Sequence, residues 1–340
     1  MPAQLSKRYV RTRPTKALSR LVSWALVEGR PLTTRGRWIN PLVFGLQRVA
    51  LALPAVRAVE RPIFIIGTGR SGTTLLGTVL SMHRSVAFLN EPKALWHRIH
   101  PEEDVIGSYA SGPARFYLDA EEATPARVRK AHHLFGAYLT AVRGQRLLDK
   151  YPELVFRVAF VRALFPDAQF VFLVRNGWDA CRSIQDWSTR LGVESGNEVH
   201  DWWGRDDRKW HHLLDYAAEQ APDLAAAVPA LRSVGDHRQR AALEWALAMQ
   251  AGLDAQDRLP NQVHLVRYED LTASPQATLA ALFQTLALPD DAVCRAFAKQ
   301  EVRPGRAHEP FVLMPEVARI FQTLMHRLGY GLDIQEGGNG

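Results

Sequence analysis

Pro62-Ile-Phe-Ile-Ile-Gly67-Thr-Gly69-Arg70-Ser71-Gly72-Thr73-Thr74-Leu-Leu76 is the stretch of this 340-residue chain that decides its fold. Ile63, Phe64, Ile65 and Ile66 form an apolar run that predicts a buried strand. Gly67, Gly69 and Gly72 punctuate the loop that follows, and a helix is expected to open at Thr73. Strand, glycine loop and helix N-terminus together make an anion cradle. Free backbone N–H groups converge there, and the helix dipole favours negative charge. Glycine lets the backbone approach a phosphate with no Cβ in the way. Taken alone, the same glycines could simply make a strand-turn-helix.

Gly67 and Gly72 have the separation found in the nucleotide-triphosphate loop G-x-x-x-x-G-K-[ST], but Thr73 stands at its lysine position. The cation sits earlier, inside the loop, at Arg70. The expected ligand is therefore a phosphate other than a metal-bound triphosphate. Farther on, Phe170-Val-Phe-Leu-Val-Arg175 reads as an apolar strand ending in arginine, with Ser183 eight positions later on a predicted helix. An arginine there offers a rigid fork of donors suited to a phosphate, and a serine hydroxyl adds one more. Taken singly, Arg175 could serve a strand-end salt bridge, Ser183 a helix surface or cap, and Tyr268 the edge of the core.

Taken in order, these segments resemble the sulfotransferases that use 3′-phosphoadenosine-5′-phosphosulfate (PAPS). The Gly67–Leu76 stretch resembles their 5′-phosphosulfate loop, and Arg175 with Ser183 resembles their 3′-phosphate element. Val266-Arg-Tyr268-Glu-Asp-Leu271 is similar to a family segment whose tyrosine lies near the adenine. Phe165-Pro-Asp-Ala168 and the closing Leu328-Gly-Tyr330 add to the likeness, which covers residues 61–330. It implies an α/β fold, a parallel central sheet flanked by helices, like that of the P-loop kinases. It also implies PAPS as sulfonate donor, 3′,5′-ADP as product and no required metal.

Sulfonate transfer asks chiefly for positioning and for stabilisation of charge on the leaving oxygen. By resemblance, Arg70 faces the 5′-phosphosulfate and is catalytic, while Ser71, Gly72, Thr73 and Thr74 hold the 5′-phosphate. Glu91, in Phe88-Leu-Asn-Glu91-Pro-Lys93, is expected as the general base, and Lys150, in Asp149-Lys150-Tyr-Pro152, as a second cation on the sulfonate. Alternatives for these two are a helix-start glutamate and a solvated turn lysine. Arg303 and Arg306 faintly resemble the C-terminal phosphate clamp. Leu75 stands where the cytosolic small-molecule enzymes have tryptophan, and their His-x-Pro context is absent. The chain thus looks closer to the bacterial, carbohydrate and tyrosylprotein branches, with His97 and His100 as weaker rival bases.

Composition is that of a globular protein, 47% apolar and 23% charged. Cys181 and Cys294 are the two cysteines, so neither a disulfide framework nor a zinc cluster is implied, and no tight metal-ligand cluster is read. The net charge of +7 is concentrated at one end: through Arg61 there are 12 Lys or Arg against Glu28 and Glu60. Nucleic acid is therefore not an expected partner. Leu18, Leu21, Val22, Ala25 and Leu26 have helical spacing beside Lys16 and Arg20. That pattern suits either a helix on an anionic membrane or one packed on the domain. The run 42–56 is interrupted by Gln47, Arg48 and Pro54 and is too short to span a bilayer. No signal peptide is read, so the expected location is cytoplasmic, with peripheral membrane contact through residues 1–60 left open.

Strands are expected at 62–66, 86–89, 146–149, 169–174 and 262–266, and helices at 73–82, 153–164, 178–188, 238–257, 275–287 and 315–327. The expected organisation is a basic, partly helical extension over 1–60 and a sulfotransferase domain over 61–335. Near 190–235, rich in Trp and His, an insertion is expected on the acceptor side, as a lid or as a plain helical surface insertion. The acceptor expected is a hydroxyl, first on a glycan or glycolipid, then on a lipid or small molecule, then on a peptide tyrosine. The rival readings are a P-loop kinase-like nucleotide enzyme and a non-catalytic membrane-surface protein.

Overall fold

The computed structural model describes residues 4–195, 198–305 and 307–331. Its strands, in chain order, are β1 (Ile63–Gly67), β2 (Val86–Asn90), β3 (Arg146–Lys150), β4 (Gln169–Val174), β5 (Val193–Ser195), β6 (Glu198–Asp201), β7 (Gly204–Arg205) and β8 (Val263–Arg267). Five of them form an all-parallel sheet in the order β2-β3-β1-β4-β8. The other three make a small antiparallel sheet. Each expected strand of the parallel sheet is present to within a residue or so at either end.

The sheet explains the apolar runs. A parallel sheet covered by helices on both faces needs apolar side chains on both, so its strands do not alternate with polar residues. All five residues of β1 are buried. Successive side chains point to opposite faces. Ile63 and Ile65 join Leu148, Val171 and Leu173 under the helices Thr73–Ser81, Pro275–Thr285 and Ala292–Glu301. Phe64 and Ile66 join Phe170, Phe172 and Leu147 under the helices Pro125–Ala141, Val158–Leu164, His237–Arg258 and Pro315–Arg327.

One expected helix is divided. Residues Pro152–Arg157 form a 3₁₀ turn, and the α-helix begins only at Val158. The break coincides with Arg157, whose buried guanidinium donates to the carbonyls of Glu103, Arg115 and Phe116 at 2.9 Å each.

The N-terminal segment is tied into the sheet edge. The helix Pro14–Leu26 lies against β2, and Lys16 Nζ donates to the Val86 carbonyl at 2.5 Å. Tyr9 and Ser81 share a hydroxyl hydrogen bond of 2.7 Å. Arg20 and Glu28 form a buried ion pair, and Glu28 also accepts from the Asn90 N–H at 2.7 Å. Breaking a pair of this kind leaves an uncompensated buried charge, at a cost of about 3–5 kcal/mol. Among the described residues, no helix is long and apolar enough to cross a membrane.

Candidate active site

All five parallel strands carry an expected site residue at or just beyond their carboxyl ends, the usual place for ligands in open α/β sheets. Arg70 follows β1, Glu91 follows β2, Lys150 ends β3, Arg175 follows β4 and Tyr268 follows β8. Register aligns these ends: Asn90 lies beside Lys150, Gly67 beside Leu173, and Val174 beside Arg267.

The loop after β1 is tightly walled. Gly72, at φ +91°, caps the helix Thr73–Ser81, and a Cβ there would lie 2.4 Å from the Tyr268 ring. A Cβ on Gly69 would meet the Trp202 ring at 2.4 Å. Within the loop, the hydroxyls of Thr68 and Ser71 are buried and have no hydrogen-bond partner. Buried polar groups are nearly always paired, so these orphans fit an oxygen-rich ligand. Arg70 adopts φ +67°, a left-handed conformation that side-chain-bearing residues rarely take. Its Nε donates to Ser183 Oγ at 3.2 Å. Burial, followed by the like charges of Arg190 and Arg175, lowers its pKa below the ordinary guanidinium value. Relief of that repulsion by an anion is the expected electrostatic response.

Arg175 is 7% exposed and stands on the other side of the loop. Its Nη1 donates to the Arg70 carbonyl at 3.1 Å, and its guanidinium lies 4.5 Å from the Tyr268 ring centroid. Asp179 is 3.6 Å away, and the Arg175 Nε is buried without a partner. Tyr268 therefore packs behind both Gly72 and Arg175. The chain at Gly305 passes close by, since a Cβ there would fall 2.8 Å from Arg175 Nη2. The Arg303 side chain, however, turns back to the carbonyls of Lys299 and Val302, at 3.1 and 2.7 Å, where it caps a helix end. Arg306 lies outside the described residues.

A third group completes the site. Lys150, almost fully buried, donates to Glu91, while Lys93 Nζ lies 3.8 Å from the other Glu91 oxygen. Glu91 also has positive φ, +51°, and its N–H donates to the Lys150 carbonyl at 2.8 Å. Arg70, Thr73, Thr74, Glu91, Lys93 and Lys150 share one cavity of about 250 Å³. Residues 201–209 close one side of it. There Lys209 pairs with Glu244 at 2.6 Å and sits 4.4 Å from the Trp202 ring, whose indole N–H also donates to Glu244. A larger cavity, about 590 Å³, lies between the helix Pro14–Leu26 and β2, and none of the expected site residues lines it. Chemistry, not size, selects the smaller one.

Residues 62–228 match the family model described as "Sulfotransferase family". Over that stretch, just under half of its length, the chain resembles the sulfotransferases. Its sequence is 29% identical over 167 residues to the protein-tyrosine sulfotransferase of Drosophila melanogaster, covering 48% of this chain and 32% of that protein. It is 25% identical over 127 residues to the nodulation protein NoeE of Sinorhizobium fredii, covering 36% of this chain and 30% of that protein. The matches thus span about a third of each relative's length. Among solved structures, the sulfotransferase domain from the curacin biosynthetic pathway aligns at TM-score 0.49 and 18% identity, covering 81% of this chain and all of that one. Sulfotransferase STF9 of Mycobacterium avium aligns at 0.48 and 14%, covering 93% and 91%.

The structure brings Arg70, Ser71, Gly72, Thr73, Thr74, Arg175, Ser183 and Tyr268 around one loop, and adds Glu91 and Lys150 at the adjoining strand ends. His97 and His100 point elsewhere: the first bonds the Pro101 carbonyl, the second Glu122 at 3.0 Å. Sequence reasoning missed Lys93, Glu153 and Lys209. Lys93 stands two residues after Glu91 and was visible; Lys209 reaches the site only because the 190–235 segment folds back.

Glu153 lies 3.4 Å from Lys93 and 4.0 Å from Lys209. Burial alone would raise its pKa, but the two ammonium groups hold the carboxyl down at about 2. A pKa lower in the folded than the unfolded state gives stability that is complete above the unfolded value, about 4.3, and is lost as pH falls through the folded one. The stability gap between the wild type and Glu153→Gln should therefore be widest near neutral pH and close between about pH 4.3 and 2, by on the order of 3 kcal/mol. Urea titrations of both proteins across that range measure it. A gap independent of pH would refute the ion-pair assignment.

Proposed function

We propose that this protein moves the sulfonate group of PAPS to an acceptor hydroxyl, most readily on a glycan or glycolipid. The observation that carries the reading is the convergence of Arg70, Lys150 and Glu91 on one cavity beside an anion loop with orphaned hydroxyls. When bound, PAPS supplies an electrophilic sulfur and a leaving group, 3′,5′-ADP. Backbone N–H groups at the start of the Thr73–Ser81 helix, with the Thr68, Ser71, Thr73 and Thr74 hydroxyls, hold the 5′-phosphate end. Arg175 and Ser183 hold the 3′-phosphate, and Tyr268 fixes Arg175 by stacking under it. Arg303 is not needed in this account, because its donors already cap a helix.

Glu91 takes the proton as the acceptor oxygen attacks sulfur, the sulfur–oxygen bond to the phosphate breaks, and Arg70 and Lys150 stabilise charge on the departing oxygen. Trp187 and Trp202, edge to face at 5.3 Å, line the cavity with Thr33, Thr34 and Asn90, a wall of rings and polar groups that suits a sugar. A tyrosine hydroxyl is the second reading, favoured by the similarity to the Drosophila protein. The proposed donor domain, about 61–335, and a location on the cytoplasmic side belong to the same reading.

The test is nucleotide binding by calorimetry, followed by an acceptor screen with labelled PAPS. The protein should bind 3′,5′-ADP without a metal ion, and Arg175→Ala should weaken that binding about 10- to 100-fold. Unchanged affinity in the variant, or tight Mg²⁺-dependent ATP binding with no response to 3′,5′-ADP, would refute the assignment.

A further inference from the structure

The N-terminal helices are built inside out. On the helix Asn40–Ala52, Asn40, Val43 and Gln47 are buried, while Leu42, Leu46 and Val49 face outward at helical spacing. Both polar atoms of the Gln47 side chain are buried without a hydrogen-bond partner, even as leucines on the same helix stand in solvent. The helix Pro14–Leu26, which touches it, repeats the pattern: Ala17, Arg20 and Ser23 are buried, and Leu18, Leu21 and Leu26 are exposed. Ten of the twelve large apolar side chains exposed among the described residues fall between Val10 and Val56. Among those ten, Trp38 is the most exposed, at 83%. Such a concentration is an interaction surface rather than the ordinary scatter of surface leucines.

Charge identifies what covers it. Through Arg61 the segment holds 12 basic residues and two acids, one of which, Glu28, is buried against Arg20. Arg11, Arg35, Arg37 and Arg48 are exposed and make no ion pair among the described residues. Arg35 and Arg37 immediately precede the exposed Trp38, and Arg48 adjoins Val49. Outward leucines, an interfacial tryptophan and unpaired arginines are the chemistry of a helix lying in the headgroup region of an anionic bilayer. We propose that residues 10–56 dock this protein on an anionic membrane surface. Both helices lie flat on the bilayer and neither crosses it. Pro31–Thr34, which joins the two helices, also lines the cavity beside Arg70, so the docking elements and the reaction cavity share one stretch of chain.

Flotation of the full chain with extruded vesicles tests this without any sulfonate transfer, so its outcome and that of the proposed reaction are independent. The protein should float with phosphatidylcholine vesicles containing about 30 mol% phosphatidylglycerol, and at least about tenfold less with phosphatidylcholine alone. The paired variants Leu42→Gln/Leu46→Gln and Leu18→Gln/Leu21→Gln should each lose at least about tenfold in partitioning. These side chains are exposed, so melting temperature and 3′,5′-ADP affinity should stay at wild-type values. Three results would overturn the proposal: no flotation with the anionic vesicles, flotation undiminished in both leucine pairs, or a wild-type dimer in light scattering that the same pairs dissociate. The last would assign the surface to a second copy of the chain.

Discussion

Glu91→Gln should lower turnover about 10²- to 10⁴-fold, the range spanned by a positioned general base. Gln keeps the shape of the side chain and removes its ability to take a proton. It also removes the negative charge that Lys150 and Lys93 now face. Those lysines then point at the cavity uncompensated, so affinity for the anionic product 3′,5′-ADP should hold or tighten. The expected signature is a fall in kcat with unchanged or stronger product binding, read by steady-state kinetics beside calorimetry. If nucleotide affinity collapses and the residual rate per bound donor does not, Glu91 organises the donor site and some other group is the base.

Replacing Arg70 gives the second large effect and separates catalysis from stability. Loss of one preorganised charge donor at a site of developing negative charge costs about 10²- to 10³-fold in kcat. Arg70→Ala and Arg70→Gly should be equally slow. They should differ in stability, because position 70 is held at φ +67°. Alanine keeps the left-handed strain and glycine does not, so the glycine variant should be the more stable by about 1 kcal/mol. Kinetics and thermal denaturation of the pair decide it. Equal melting temperatures would mean that the loop relaxes on substitution and that the backbone at position 70 is not strained. A glycine variant that retains wild-type turnover would exclude Arg70 from the reaction.

Two of the residues assigned to the chemistry, Arg70 and Glu91, thus stand in backbone conformations that favour glycine. Nothing in their local sequence announces this. Each lies one to three residues beyond the end of a parallel strand, where the chain must turn sharply out of the sheet while aiming a long side chain across its edge. Strain of this kind persists only where the surrounding fold over-determines it. Trp202 against Gly69 and Tyr268 against Gly72 are the walls that do so here.

The loop Gly67–Thr74, the arginine at 175 and the serine at 183 were legible because their chemistry is local. A buried strand must be an apolar run, a phosphate turn must be glycine-rich, and both signals survive in a single sequence. Glu91 and Lys150 were legible only by resemblance, since a glutamate before proline and a lysine after a strand are ordinary on their own. Lys209 was not legible, because it reaches the cavity only through the folding back of the 190–235 segment; Lys93 and Glu153 stand two and three residues from Glu91 and Lys150, but only the fold shows that they pair with each other. For Arg303 the sequence gives only the position in the chain, and the direction of its side chain is set by carbonyls at a helix end.

The amino-acid sequence by itself therefore determined the elements and their class: which runs become strands, where the anion loop sits, and that the basic charge is gathered in the first sixty or so residues. The tertiary structure alone decided which strand ends are neighbours. Parallel order β2-β3-β1-β4-β8 sets Asn90 beside Lys150 and so brings Glu91 to Lys150, across 59 residues of chain. It also decided that the N-terminal helices turn polar faces inward and leucines outward. Periodicity fixes which residues share a face, but only packing against the rest of the molecule chooses which face is buried.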